Sequence, residues 1–134
     1  MNTVERLLAL DAGTIEMPKK EITLKLGKLK GAEFTFECKA VSSEKVAKIQ
    51  ENLIEYSKNG KVQGTNIGQV KILTVIEGCS DVFRSKELLE HFGAPTPKEL
   101  LNKLLLAGEI DELYKQINQL NGYEKEDTEE EIKN

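Results

Sequence analysis

The chain is short of several things that would announce a chemistry. Tryptophan is absent and aromatics make up 5% of its 134 residues, so whatever core it builds must be aliphatic. It has one histidine, His91, and two cysteines, Cys38 and Cys79. Two widely spaced cysteines do not make a disulfide framework, and with a single distant histidine they do not make a zinc site. No apolar run approaches the ~20 residues that a bilayer-spanning helix needs. The start, residues 1–12, has neither the basic opening nor the long apolar stretch of a secretory signal. These shortages point to a reducing cytoplasm and away from membranes.

Catalytic constellations are missing as well. His91 sits between Glu90 and Phe92 with no partner for acid–base work. Neither cysteine nor any serine falls in a nucleophile signature. Cys38 lies on the apolar face of a strand pattern and reads as a small buried hydrophobe, whereas Cys79 follows Gly78 in what looks like an open loop. Gly60, Gly64 and Gly68 are evenly spaced but lack the Lys-Ser/Thr of a phosphate-binding loop. No Asp-x-Asp calcium loop occurs. Non-enzymatic function without cofactor or metal is the expectation.

What is present is charge and aliphatic pattern. Charged residues are 31% and hydrophobic residues 39%, the balance of a soluble globular chain. Net charge is −4, and it lies at one end. From Gly122 onward six acids (Glu124, Glu126, Asp127, Glu129, Glu130 and Glu131) face two bases (Lys125 and Lys133), so residues 1–121 are neutral. Nucleic-acid binding needs a surplus of Lys and Arg. Residues 109–121 hold only Lys115 against Glu109, Asp111 and Glu112, which argues against a recognition helix. Lys19, Lys20, Lys25, Lys28 and Lys30 read as a soluble strand edge, with docking of an acidic segment such as the chain's own tail as the sharper alternative.

The periodicities predict an α+β fold. A short helix over 3–10 precedes a connector through Gly13 and Pro18. Residues 21–40 alternate with period two: Ile22, Leu24 and Leu26, then Phe34, Phe36, Cys38 and Ala40, the pattern of a half-buried β-hairpin. A lone hairpin is marginal in water, so it must lie on the helices that follow. Val46, Ile49, Leu53 and Tyr56 predict a helix from 43 to 59 that stops at Asn59-Gly60. Ile67, Val70, Leu73 and Ile76 predict a second over 65–77, with a strand at 70–76 as the competitor. Ser85 opens a short helix closed by Gly93. Thr96-Pro97-Lys98-Glu99 is the strongest helix start in the chain, and that helix runs to Gly108. A last helix carries Ile110, Leu113, Ile117 and Leu120 to Asn121-Gly122. The expected architecture is an N-terminal hairpin packed on four to five helices. Residues 1–122 form one domain and residues 123–134 a flexible acidic tail.

Leu100, Leu101, Leu104, Leu105 and Leu106 cover more than one side of a helix, where an amphipathic helix needs only a stripe. Either this helix is the centre of the core, or part of it meets a partner's apolar helix.

The stretches Phe92–Leu101, Leu105–Ile110 and Leu120–Tyr123, with the early Leu7-Leu8, the hairpin and the charged ending Glu131–Asn134, resemble the XkdN-like phage tail assembly chaperones. Ala107 stands where that family usually has Pro. The resemblance implies a non-catalytic protein of the bacterial host cytoplasm, absent from the finished virion. Such a protein binds apolar helical segments of the tape measure protein and helps recruit tail tube subunits. Leu104, Leu105, Ile110, Leu113, Ile117 and Leu120 are the candidate partner-binding residues. Another non-catalytic phage or mobile-element adaptor, or a regulatory nucleic-acid-binding domain, are the rival readings.

Overall fold

The computed structural model describes residues 2–56 and 62–123. The chain opens with helix α1 (Thr3–Leu8) and a 3-10 turn at Ala12–Thr14. Strands β1 (Lys19–Leu26) and β2 (Ala32–Lys39) follow, then helix α2 (Ser43–Gln50). Strands β3 (Ile54–Tyr56) and β4 (Val62–Thr65) make a second antiparallel pair. Five further helices complete the order: α3 (Ile67–Gly78), α4 (Ser80–Phe83), α5 (Lys86–His91), α6 (Pro97–Leu104) and α7 (Ala107–Leu120). The α+β class and the leading hairpin are as expected, with seven helices among the described residues where four to five were expected.

The hairpin follows its alternation. Ile22 pairs with Phe36 and Leu24 with Phe34, which puts the apolar set on one face, while Thr23 and Thr35 pair on the other and share a 2.8 Å hydroxyl hydrogen bond. Its apolar face lies on α7, which is fastened to it at three points. At the turn, the Gly27 N–H donates to Glu109 Oε2 (3.1 Å). Midway, Lys20 Nζ donates to Gln116 Oε1 (3.2 Å). Beyond β2, the Val41 N–H donates to Asn121 Oδ1 (2.7 Å). Glu109 serves twice, because its other oxygen accepts the Leu106 N–H (2.8 Å) and so satisfies the start of α7. Strand β1 therefore runs antiparallel to α7 along most of its length.

Helix α3 is the centre of the body. Asn66 caps it, its side-chain oxygen accepting the Gln69 N–H at 3.2 Å. Val70, Thr74, Val75, Ile76 and Gly78 are buried. The β-branched residues that made a strand plausible are buried on a helix, since packing on several sides outweighs their modest propensity cost. Thr74 satisfies its buried hydroxyl by donating to the Val70 carbonyl (2.8 Å).

Two helices are shorter than their periodicity suggested. Helix α2 ends at Gln50, not at residue 59, and Tyr56 belongs to β3. The Asn52 side chain takes the Ile49 carbonyl (3.2 Å) while the Asn52 and Leu53 N–H groups bond three residues back, which tightens and ends the helix. The expected stop at Asn59-Gly60 lies outside the described residues. Helix α6 ends at Leu104, not at Gly108, because Leu105 and Leu106 are extended and α7 begins afresh at Ala107. The expected start at Thr96 holds, with Thr96 Oγ1 accepting the Glu99 N–H at 3.2 Å. Gly93 closes α5 with φ of +61°, a left-handed position that favours glycine.

Candidate functional site: an uncovered apolar arm

The six residues expected to meet a partner are placed in the core. Leu104, Leu105, Leu113 and Ile117 are buried, and Ile110 and Leu120 pack half-buried against them. The expectation of an open leucine surface is corrected here. Leu100 and Leu101, both fully buried, explain the excess of leucine on α6. That helix is covered on more than one side, with α3, α4 and α5 packed against it. Of the leucine run only Leu106 stays exposed, at the break before α7.

The apolar surface left open lies at the other end of the chain. Every residue from 2 to 20 is exposed. Ten large apolar residues are exposed among the described residues, and six of them lie in the arm: Val4, Leu7, Leu8, Leu10, Ile15 and Met17, at 51% to 86%. Scattered surface leucines need no explanation, but six within fourteen positions form a concentration that does.

The arm is ordered by local bonds. Asn2 Oδ1 accepts the Glu5 N–H (2.8 Å) and caps α1, where Val4, Leu7 and Leu8 share one face by their spacing of three and four. Asp11 Oδ1 accepts the Gly13 N–H (3.0 Å) and its carbonyl accepts the Thr14 hydroxyl (2.7 Å), which shapes the next turn. The arm reaches the body at Pro18, whose carbonyl accepts the Ala40 N–H (2.8 Å) beside the hairpin. Thr3, Arg6, Leu7 and Leu10 border a cleft of about 300 Å³ on the arm itself. Sequence reading found the short helix and its leucines. The spacing shows an apolar face, but it cannot show whether another element covers it.

The other features singled out from sequence are placed as follows. His91 is exposed and meets Phe92 edge-on, ring centroids 4.9 Å apart. Cys38 is buried as expected, and Cys79, expected in an open loop, is buried too. Lys20 and Lys28 of the basic cluster reach across to Gln116 and to the Asn102 carbonyl, so part of that cluster fastens the hairpin. A cleft of about 540 Å³ is polar: Lys71, Asp111, Glu112 and Tyr114 border it. Lys71 there pairs with Asp111 at 2.9 Å and lies 5.9 Å from the Tyr114 ring centre. No group of three or more metal-binding side chains comes together among the described residues. The acidic ending, residues 124–134, lies outside them.

The model of the phage XkdN-like tail assembly chaperone proteins matches residues 4–133. The chain belongs to this family. The match takes in both the exposed arm and the body. The crystal structure of the protein yqbn is similar in fold, with a TM-score of 0.54 at 16% identity over 85% of this chain and 93% of that one. No curated protein matches. No helix among the described residues is long and apolar enough to cross a membrane.

Proposed function

We propose that this tail assembly chaperone holds apolar helical segments of the tape measure protein while the tail is built, and helps recruit tail tube subunits to them. It acts in the host cytoplasm, without catalysis, and is left out of the finished virion. The arm is the observation that carries this reading. A chaperone of this kind needs adaptable aliphatic contact that forms and releases, and Val4, Leu7, Leu8, Leu10, Ile15 and Met17 offer it outside the folded body. A short amphipathic helix with flanking extended residues lies naturally along a partner helix. The contact is small and its ordering cost is modest because α1 is already capped, which favours reversible binding.

Co-expression of the full chain with the tape measure protein tests the reading. The expected result is a soluble tape measure protein that co-purifies with the chain. A tape measure protein that stays insoluble and unbound in its presence rejects it. Removal of residues 2–17 then asks whether the arm makes the contact: the expected result is loss of co-purification with the body still folded. Retained binding would move the contact elsewhere while leaving the chaperone role in place.

A further inference from the structure

Cys38 and Cys79 stand 41 positions apart in sequence, yet their sulfur atoms are 3.6 Å apart inside the core. They are 0% and 1% exposed. Cys38 belongs to β2, and Cys79 is the junction between α3 and α4, where its N–H is held by the Val75 carbonyl (2.8 Å). Stacked rings flank them: Phe36, two residues before Cys38, and Phe83, one turn after Cys79, lie 6.1 Å apart and 10° from parallel. Both cysteines are thus brought together by elements that the core packs firmly. Their approach joins β2 to the α3–α4 junction, beside the surface pair of Lys39 and Asp81 (3.4 Å).

We propose that Cys38 and Cys79 form a latent disulfide, a redox-sensitive staple that ties β2 to the α3–α4 junction when a small diffusible disulfide oxidises them. A sulfur–sulfur bond is about 2.05 Å long, so the thiols need to close by roughly 1.5 Å. This inference does not depend on the proposed function.

The two thiols are not equivalent. The hydrogen bond shared with Cys79, helped by the charge of Lys20 directly across the hairpin, holds the Cys38 thiol below its usual value in spite of burial. The same hydrogen bond, then burial, then the charges of Cys38 and Asp81, push Cys79 well up. When the hairpin opens from the body, Lys20 stays opposite Cys38 within it, and its charge favours the Cys38 thiolate as the first nucleophile. Its thiolate attacks one sulfur of the oxidant, and the other sulfur leaves as a thiolate that takes up a proton. Cys79 then loses its proton to solvent and attacks the Cys38 sulfur, expelling the second half of the oxidant as a thiol. Two protein thiols are oxidised and one small disulfide is reduced to two thiols. Because neither sulfur is exposed, reaction waits on opening of the hairpin from the body, and the closed staple is shielded from reductants in the same way.

Incubation of the full chain with oxidised glutathione tests this. The expected product is a monomer lighter by two hydrogens, with one cross-linked peptide containing both cysteines. Its Tm should rise by about 5–15 °C, since the closed loop is long, and dithiothreitol with denaturant should restore the starting value. The same treatment of Cys38→Ala should yield no internal cross-link and no rise in Tm. A persistent glutathione adduct, disulfide-linked dimers, or two free thiols after long oxidation would each overturn the proposal. The wild-type chain alone decides the outcome if the variant folds poorly.

Discussion

The backbone at Gly78 comes so close to Ile117 that a methyl group on its Cα would stand 2.4 Å from Cδ1, 2.7 Å from Cγ1 and 3.1 Å from Cγ2. Ile117 is fully buried, so it has nowhere to move. Helices α3 and α7 meet here, and the absent side chain is what lets them approach. A second glycine makes a useful contrast. A methyl on Gly27 would lie 2.6 Å from Leu106 Cδ1, but the next atom is 3.7 Å away and Leu106 is 45% exposed.

Gly78→Ala should therefore destabilise the fold by about 1–3 kcal/mol through overpacking, even after the gain in helix propensity. Gly27→Ala should change it by less than about 0.5 kcal/mol, because the Leu106 side chain can swing into solvent. Urea denaturation of both variants against wild type measures the difference. Equal effects would mean that α3 and α7 can separate without cost.

The fastening of the hairpin onto α7 gives a second prediction. Asn121→Ala leaves the N–H of Val41, a buried residue, without its partner. The expected cost is about 1–3 kcal/mol. Glu109→Ala removes the acceptor of both the Gly27 and Leu106 N–H groups, but these lie near solvent and water can replace it. The expected cost is about 1 kcal/mol. Hydrogen exchange should show the turn at residues 27–31 opening faster in Glu109→Ala, and the end of β2 in Asn121→Ala.

Much of this architecture was legible in the residue pattern, and the exceptions have physical causes. The alternation from Ile22 to Ala40 placed the hairpin and its inner face correctly, because a half-buried strand repeats every two residues. Thr96-Pro97 marked the start of α6 to the residue, since the cap chemistry is local. The end of α2 was missed because Val46, Ile49 and Leu53 continue the helical spacing past Gln50, while the Asn52 side chain ends the helix by a local bond that periodicity does not register. The candidate partner residues are more buried than their pattern suggests, for a different reason. Leucine content marks what avoids water, and whether a leucine is covered by its own chain depends on packing between distant elements. Leu113 and Ile117 are covered by the body, and Leu7 and Leu8 are not. The meeting of Cys38 with Cys79 is likewise a tertiary fact with no sequence signal.

The arm predicts a separation of stability from binding. Leu7→Asp with Leu8→Asp should leave the thermal stability of the body within about 0.5 kcal/mol of wild type, because neither residue is buried. The same pair should abolish co-purification of the tape measure protein. Leu113→Ala should do the opposite, costing about 2–5 kcal/mol through a core cavity while the folded fraction still binds. Thermal melts and co-purification read together distinguish the two classes.

The acidic ending makes a prediction about solubility. Beyond Tyr123 the chain has six acids and two bases, so taking these from 23 acids and 19 bases leaves seventeen of each sign in residues 1–123. The full chain has a pI of about 5.2 and is repulsive at neutral pH. Truncation after Tyr123 should move the solubility minimum up to about pH 7, where the arm's exposed leucines then meet no long-range repulsion. Turbidity against pH, at matched concentration, measures the minimum directly. The shift should appear without change in the melting temperature, because the core residues among those described all precede the cut. A minimum that stays near the full-chain pI would mean that charge distribution on the body, rather than the tail, keeps this apolar-armed protein dispersed.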